Sequence, residues 1–102
     1  MTLGPAFPEA FEREQSFAEA DWLRTLPGAV RDHALALPAP GRAVVSIGAG
    51  TLELGWTMLP PRRLGLVQLP RMTVRYRFDG VDAQARNEFM RYFDRYTQRG
   101  GG

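Results

Sequence analysis

Residues 72–78, Met-Thr-Val-Arg-Tyr-Arg-Phe, alternate apolar and polar side chains, and this stretch constrains the chain more than any other. A period of two puts Met72, Val74, Tyr76 and Phe78 on one face of a strand and Thr73, Arg75 and Arg77 on the other. Asp79-Gly80 breaks the pattern, and residues 83–98 follow a period of 3.6. Ala85, Phe89, Tyr92, Phe93 and Tyr96 make one helical stripe, with Asp82 as N-cap and Gly100 as stop. The stripe is expected to lie on the apolar face of the strand. Four aromatic rings contribute about 1.5–3 kcal/mol each when fully buried. Net stabilities are only about 5–15 kcal/mol, so this helix belongs to the core of the fold.

The elements before this unit are shorter. Residues 1–9 carry no period and are expected to be a flexible segment. In residues 10–17, Phe11, Arg13, Gln15 and Phe17 alternate with Glu12, Glu14 and Ser16. That suits an edge strand, although Glu and Gln also suit a helix. Ser16 and Glu19 form an S-x-x-E capping box, which predicts a helix over residues 17–26 with Phe17, Ala20, Leu23 and Trp22 inward. Pro27 predicts the start of a second short helix reaching Leu37. His33 would lie on that helix beside Asp32. Residues 38–41, Pro-Ala-Pro-Gly, read as a connector.

A meander follows. Residues 43–47 are strand-like, 48–50 are a turn, and 51–58 alternate Leu52, Leu54, Trp56 and Met58 with polar residues and Gly55. Pro60-Pro61-Arg62-Arg63 reads as a rigid corner, because neither proline can donate to a ladder. Residues 64–69 read as a further strand, with Leu64 and Leu66 on one face and Val67 and Leu69 on the other. The expected order is β-α(α)-β-β-β-β-α. This is an α+β fold with an antiparallel sheet of four or five strands packed against a C-terminal helix. That order resembles the TATA-binding-protein-like and helix-grip folds, in which a long C-terminal helix lies across a curved antiparallel sheet. The domain is expected to span residues 10–99, followed by a flexible glycine tail at 100–102.

Composition narrows the function classes. The chain has 102 residues, no cysteine and one histidine. Disulfides, thiolate chemistry and a cysteine or histidine metal cluster are therefore excluded. The absence of lysine excludes a Walker lysine and a Schiff-base lysine. Gly48-Ala-Gly50 joins two strands, whereas a phosphate loop would open a helix. No apolar run is long enough to span a bilayer, and no signal peptide is read at the N-terminus. The expectation is a cytoplasmic, non-enzymatic protein without cofactor or metal, and with no membrane association.

All thirteen basic residues are arginine. That usage is consistent with a GC-rich coding sequence, so the count alone says little about nucleic acid. The distribution says more: residues 1–40 carry a formal net charge of −3 and residues 41–102 carry +5. The candidate contact surface is Arg62, Arg63, Val67, Leu69, Arg75 and Arg77. Arg75 and Arg77 lie on the strand face away from the core. Val67 and Leu69 require a neighbour if helices cover only one sheet face. This surface suits a protein partner or a small apolar or anionic ligand. A homodimer through the outer sheet face or an edge strand is the specific form expected. Nucleic-acid binding by the arginine-rich half is the alternative, with continuous arginines favouring it and mixed charges favouring protein. The terminal Gly-Gly also resembles the tail of ubiquitin-like and sulfur-carrier proteins. That implies a carrier role, while a helix stop with a frayed end explains the same residues.

Overall fold

Met72, Val74, Tyr76 and Phe78 are all buried, and they form the inner face of a strand near the middle of the sheet. The computed structural model describes residues 6–100, with side chains described as far as Gln98. The elements are β1 (Ala10–Gln15), α1 (Glu19–Ala29), β2 (Leu35–Ala39), β3 (Arg42–Ile47), β4 (Gly50–Leu64), β5 (Val67–Asp79) and α2 (Ala83–Gly100). The five strands form one antiparallel sheet in the order β1-β5-β4-β3-β2. The fold is α+β, with the C-terminal helix on the sheet, as the sequence leads one to expect.

Both helices pack on the same face. Trp22 of α1 meets Trp56 of β4 edge-on at 5.8 Å, and also meets Phe93 of α2 at 6.0 Å. Phe93 meets Tyr76 at 6.0 Å, and Phe89 meets Phe78 at 6.2 Å. Asp82 caps α2 as expected, its Oδ1 accepting the backbone N–H of Ala85 at 2.8 Å. The buried residues of α2 are Phe89, Met90, Phe93 and Thr97. The buried stripe is thus rotated from the aromatic one: Tyr92 is half-buried and Tyr96 is exposed at the rim. Gly28 explains the position of Tyr96, because a Cβ there would collide with the Tyr96 ring.

Several local expectations are corrected. No second helix forms over 27–37. α1 runs through Pro27 and ends at Ala29, so the missing N–H falls in the last turn. Arg31 then adopts a left-handed conformation (φ 57°), which reverses the chain. Residues 35–39 become edge strand β2, where Pro38 sits at a register irregularity and costs no ladder bond. His33 is therefore in the α1–β2 loop. Its ring meets Phe89 at 5.6 Å.

The capping box does not form either. The N-cap is Ala18, without a side-chain bond. Ser16 Oγ donates instead to the Pro70 carbonyl at 3.0 Å, and Glu19 accepts Trp56 Nε1–H at 2.8 Å. Trp22, Leu26 and Ala29 are the inward residues of α1, rather than Ala20 and Leu23.

The stretch at 60–63 is not a corner and 64–69 is not a separate strand. β4 continues to Leu64, and β5 begins at Val67. The described part of the N-terminal segment is tied down. Phe7 N–H donates to Asn87 Oδ1 at 2.9 Å, and Arg86 Nε donates to the Phe7 carbonyl at 2.8 Å. The Phe7 ring covers Phe11 at 5.6 Å. The expectations for residues 1–5 and 101–102 lie outside the described residues.

Phe93→Ala and Phe89→Ala are each expected to cost about 3–5 kcal/mol, the range for removing a buried aromatic ring. Tyr96→Ala should cost about 1 kcal/mol or less, as at an exposed site. Chemical denaturation midpoints separate the three, and equal midpoints would contradict the packing described.

Candidate functional site

β4 and β5 outgrow the sheet. β3 pairs with β4 only as far as Gly55, and β1 pairs with β5 only between Met72 and Arg77. Beyond these limits, among the described residues, the two strands pair in the ladder only with each other. Residues 59–71 form a two-stranded arm about 20 Å long at the usual rise per residue. The molecule measures 46 Å along its longest axis. The tip is the two-residue turn Gly65-Leu66. Gly65 at the first central position has φ 62°, the type II′ arrangement that matches strand twist.

Prolines occupy both strands of the arm, and the ladder accommodates them. Leu59 pairs with Arg71 and Arg62 with Leu69, so Pro60 and Pro61 together oppose Pro70. The extra residue is a β-bulge, placed where no N–H is available to donate. Two contacts fix the base of the arm to β1 and the residue after it: Ser16 on the Pro70 carbonyl, and Arg71 to Glu14 at 3.3 Å. Arg71 Nε also crosses the arm to the Pro60 carbonyl at 3.0 Å.

The bulge decides which side chains share a face. Val67 and Leu69 have the same parity on β5 as Arg75 and Arg77, so they continue the helix-free outer face. Cross-strand partners share a face, and here Leu64 pairs with Val67 and Arg62 with Leu69. Leu64 therefore joins Val67 and Leu69, contrary to the expectation that it lies opposite them. Of the six candidate residues, Arg62, Val67, Leu69, Arg75 and Arg77 are brought to one face. Arg63, paired with Gln68, is on the other. Leu66 at the tip is fully exposed, and Leu64 and Val67 are more than half exposed. Leu64 and Leu66 were not singled out from sequence, although Leu-Gly-Leu-Val between two strand-like runs is a hairpin signal.

The outer sheet face is electrically mixed. Arg75 stands opposite Glu12 on β1, and Arg77 stands opposite Glu53 on β4. Arg42 lies 3.6 Å from Glu53. Arg75 lies across Gly55 and reaches Thr57 Oγ1 at 3.4 Å. By contrast, residues 54–78 contain five arginines and no acid. Among the described residues, Arg62 and Arg63 have no ion-pair partner.

On the helix side, at the foot of the arm, a cleft of about 440 Å³ opens between α1 and the β2–β3 turn. Leu23, Leu37, Pro38 and Pro40 form its walls, with Trp56, and Glu19 stands at its rim. These residues come from separate elements, so sequence spacing does not join them. A smaller cavity of about 140 Å³ includes His33, Arg31, Glu88 and Tyr92. Arg31 lies over the Tyr92 ring at 4.6 Å. No group of three or more potential metal ligands occurs among the described residues.

One polar cluster is half-buried. Arg13 projects from β1 over the Tyr76 ring at 4.7 Å and donates to Asp94 of α2 at 2.8 Å and to Tyr76 Oη at 3.0 Å. Tyr76 in turn donates to Gln15 Oε1. Burial disfavours the Arg13 cation, but its bonds to Asp94 and Tyr76 prevail and raise its pKa. Burial pushes the Tyr76 hydroxyl up to about 12, against the opposing influence of Arg13. These groups bond to one another and lock β1 to α2, while Arg13 Nε is buried without a partner among the described residues.

Tyr76 therefore carries a pH signature. Its folded pKa is above that of the unfolded chain, so its contribution is fully present below pH 10 and is lost as pH rises from 10 toward 12. The loss amounts to about 2–3 kcal/mol. Denaturation measured across that range should show the decline in the wild type and a shallower one in Tyr76→Phe. Parallel curves would contradict the assignment.

No helix among the described residues is long and apolar enough to cross a membrane. No protein-family model, no curated protein and no solved structure matches the chain.

Proposed function

We propose that the chain is a non-enzymatic binding module that docks a partner protein through its β-arm. The observation that carries this reading is the exposure of Leu64, Leu66 and Val67 at the end of a stalk built from the sheet's own central strands. An isolated two-stranded hairpin is marginal in water. One tipped with aliphatic side chains gains stability by burying them against another surface. The polar groups nearest to a catalytic arrangement, Arg13, Tyr76, Gln15 and Asp94, are occupied by one another. His33 is placed against an aromatic ring.

The charge pattern favours protein over nucleic acid. Arg75 and Arg77 alternate with Glu12 and Glu53 across neighbouring strands, which breaks any continuous cationic track. Phosphate binding draws its strength from uncompensated cations. Fluorescence anisotropy with DNA duplex and single-stranded RNA should give dissociation constants weaker than about 1 μM at physiological salt, the non-specific range. Tighter binding that falls steeply with salt would move the function to nucleic acid.

The docking role is tested by affinity capture from cell extract with wild-type and Leu66→Asp baits, quantified by mass spectrometry. A partner retained by the wild type and lost from Leu66→Asp is expected. Identical capture by both baits would overturn the proposal, because Leu66 has no packing role within the fold.

A further inference from the structure

A second set of functional groups lies at the end of the sheet away from the arm, where Ile47 closes β3 opposite Gly50. The small cavity of about 140 Å³ opens there between the α1–β2 loop and α2. The loop contributes Arg31 and His33, and α2 contributes Glu88, Phe89 and Tyr92. None of these residues belongs to the arm.

Arg31 occupies a position that disfavours it. The amides of Val30, Arg31 and His33 bond to the carbonyls of Leu26, Gly28 and Val30, so the turn that ends α1 is fixed by the backbone. That turn holds residue 31 at φ 57°, in the left-handed region where glycine is the default. No other described non-glycine residue has a positive φ. Outliers of this kind cluster at ligand sites, where the side chain repays the strain. Glycine would make the same turn with less strain. Arginine adds a guanidinium stacked over the Tyr92 ring at 4.6 Å. Stacking uses the face of the guanidinium and leaves its edge donors free for a carboxylate. The His33 ring is seated beside it, edge-on to Phe89 at 5.6 Å.

Glu88 lies one turn before Tyr92, on the same side of α2. Arg31 and Glu88 thus bring opposite charges to one cavity. No ion pair joins them, and none ties either to another described residue. A purely anionic ligand would meet the Glu88 carboxylate, and a purely cationic one would meet Arg31. A molecule carrying both charges is matched by both side chains. At about 30 Å³ for each water-sized group, the cavity holds roughly five such groups. That is the size of the smallest amino acids. We propose that this cavity binds a small zwitterion of the α-amino-acid class. Its carboxylate lies on the edge of the Arg31 guanidinium, its ammonium on Glu88, and its side chain toward Ile47 and Phe89. The imidazole of His33 offers a further donor or acceptor in the same space.

Amide-resolved NMR titration of the full chain with glycine, L-alanine and L-serine tests this, with acetate and methylammonium as the separate halves. At least one amino acid is expected to bind with a dissociation constant of about 1 mM or tighter, within reach of so small a ligand. Its binding should shift the resonances of residues 31–33 and 88–92. Acetate and methylammonium should each bind about tenfold or more weakly. Arg31→Gly and Glu88→Gln should each weaken the amino acid by about tenfold or more. The thermal midpoint of Arg31→Gly should be equal to or above that of the wild type, because glycine relieves the left-handed turn. Its loss of binding is then not a loss of fold. Acetate that binds as tightly as the amino acid, or full affinity in Glu88→Gln, overturns the zwitterion. Full affinity in Arg31→Gly overturns the site. So does the absence of shifts at these residues with all three amino acids at about 10 mM, ten times the expected constant.

Discussion

Trp22 has no exposed surface, and its ring is met by Phe17, Trp56 and Phe93. These side chains come from the approach to α1, from β4 and from α2, so one indole holds both helices to the same face of the sheet. A chain of this length has few further elements to cover the second face. The outer positions of the sheet must then be compatible with water, and they carry Glu12, Glu53, Arg75, Arg77 and threonines in charge-alternating rows. The arm follows from the same geometry. The helices cover the sheet only up to the rows of Trp56 and Met72, and β4 and β5 continue past them. Aliphatic residues beyond that limit have no helix to pack against.

Where the sequence was legible, the signal was local. The alternation at 72–78 dictated that part of β5 because β1 and β4 on its two sides only reinforce a period-two pattern. Asp82 capped α2 because its partner amide is three residues away. Gly48 turned the chain between β3 and β4 with φ 58° because nothing distant competes for that hairpin. Ser16 and Glu19 show the limit of such reasoning. Each found a partner far along the chain, Pro70 and Trp56, that outweighed the local capping pattern. The stripe on α2 failed in phase for a related reason. Tyr92 and Tyr96 sit at the rim, Tyr92 half-buried and the Tyr96 hydroxyl against Gly28, while Met90 takes the buried position between Phe89 and Phe93.

Proline misled the reading three times, and each time through tertiary context. Pro27 lies in the last turn of α1, where its lost hydrogen bond does little harm. Pro38 lies on an edge strand at a register irregularity. Pro60 and Pro61 lie in a bulge. A proline signals the absence of a donor, but only the neighbouring strand determines whether a donor was required. The candidate site was legible in part for the same reason. Alternation within two separately read strands put Val67 and Leu69, and Arg75 and Arg77, away from the core, and the continuous β5 joins them on one face. Leu64 depended on β4, whose parity the bulge reverses. The cleft depended on three separate elements and left no pattern along the chain.

The bulge connects the fold to the docking reading. Were the alternation of β4 not interrupted by the bulge, it would keep one parity from Leu52 to its end, and Leu64 would point to the helix side with Trp56 and Met58. The apolar side chains of the tip would then be divided between two faces. With Pro60 and Pro61 opposing Pro70, Leu64 is carried to the side of Val67 and Leu69, and the tip becomes aliphatic on one face and at its end. The same prolines remove donors from the edges of the arm, which blunts indiscriminate strand pairing. A single local irregularity thus gathers the apolar surface of the arm while restricting how another chain can approach it. What remains open to contact is a small aliphatic knob flanked by two arginines, and recognition by such a surface depends on shape and charge at the tip rather than on backbone pairing along the stalk.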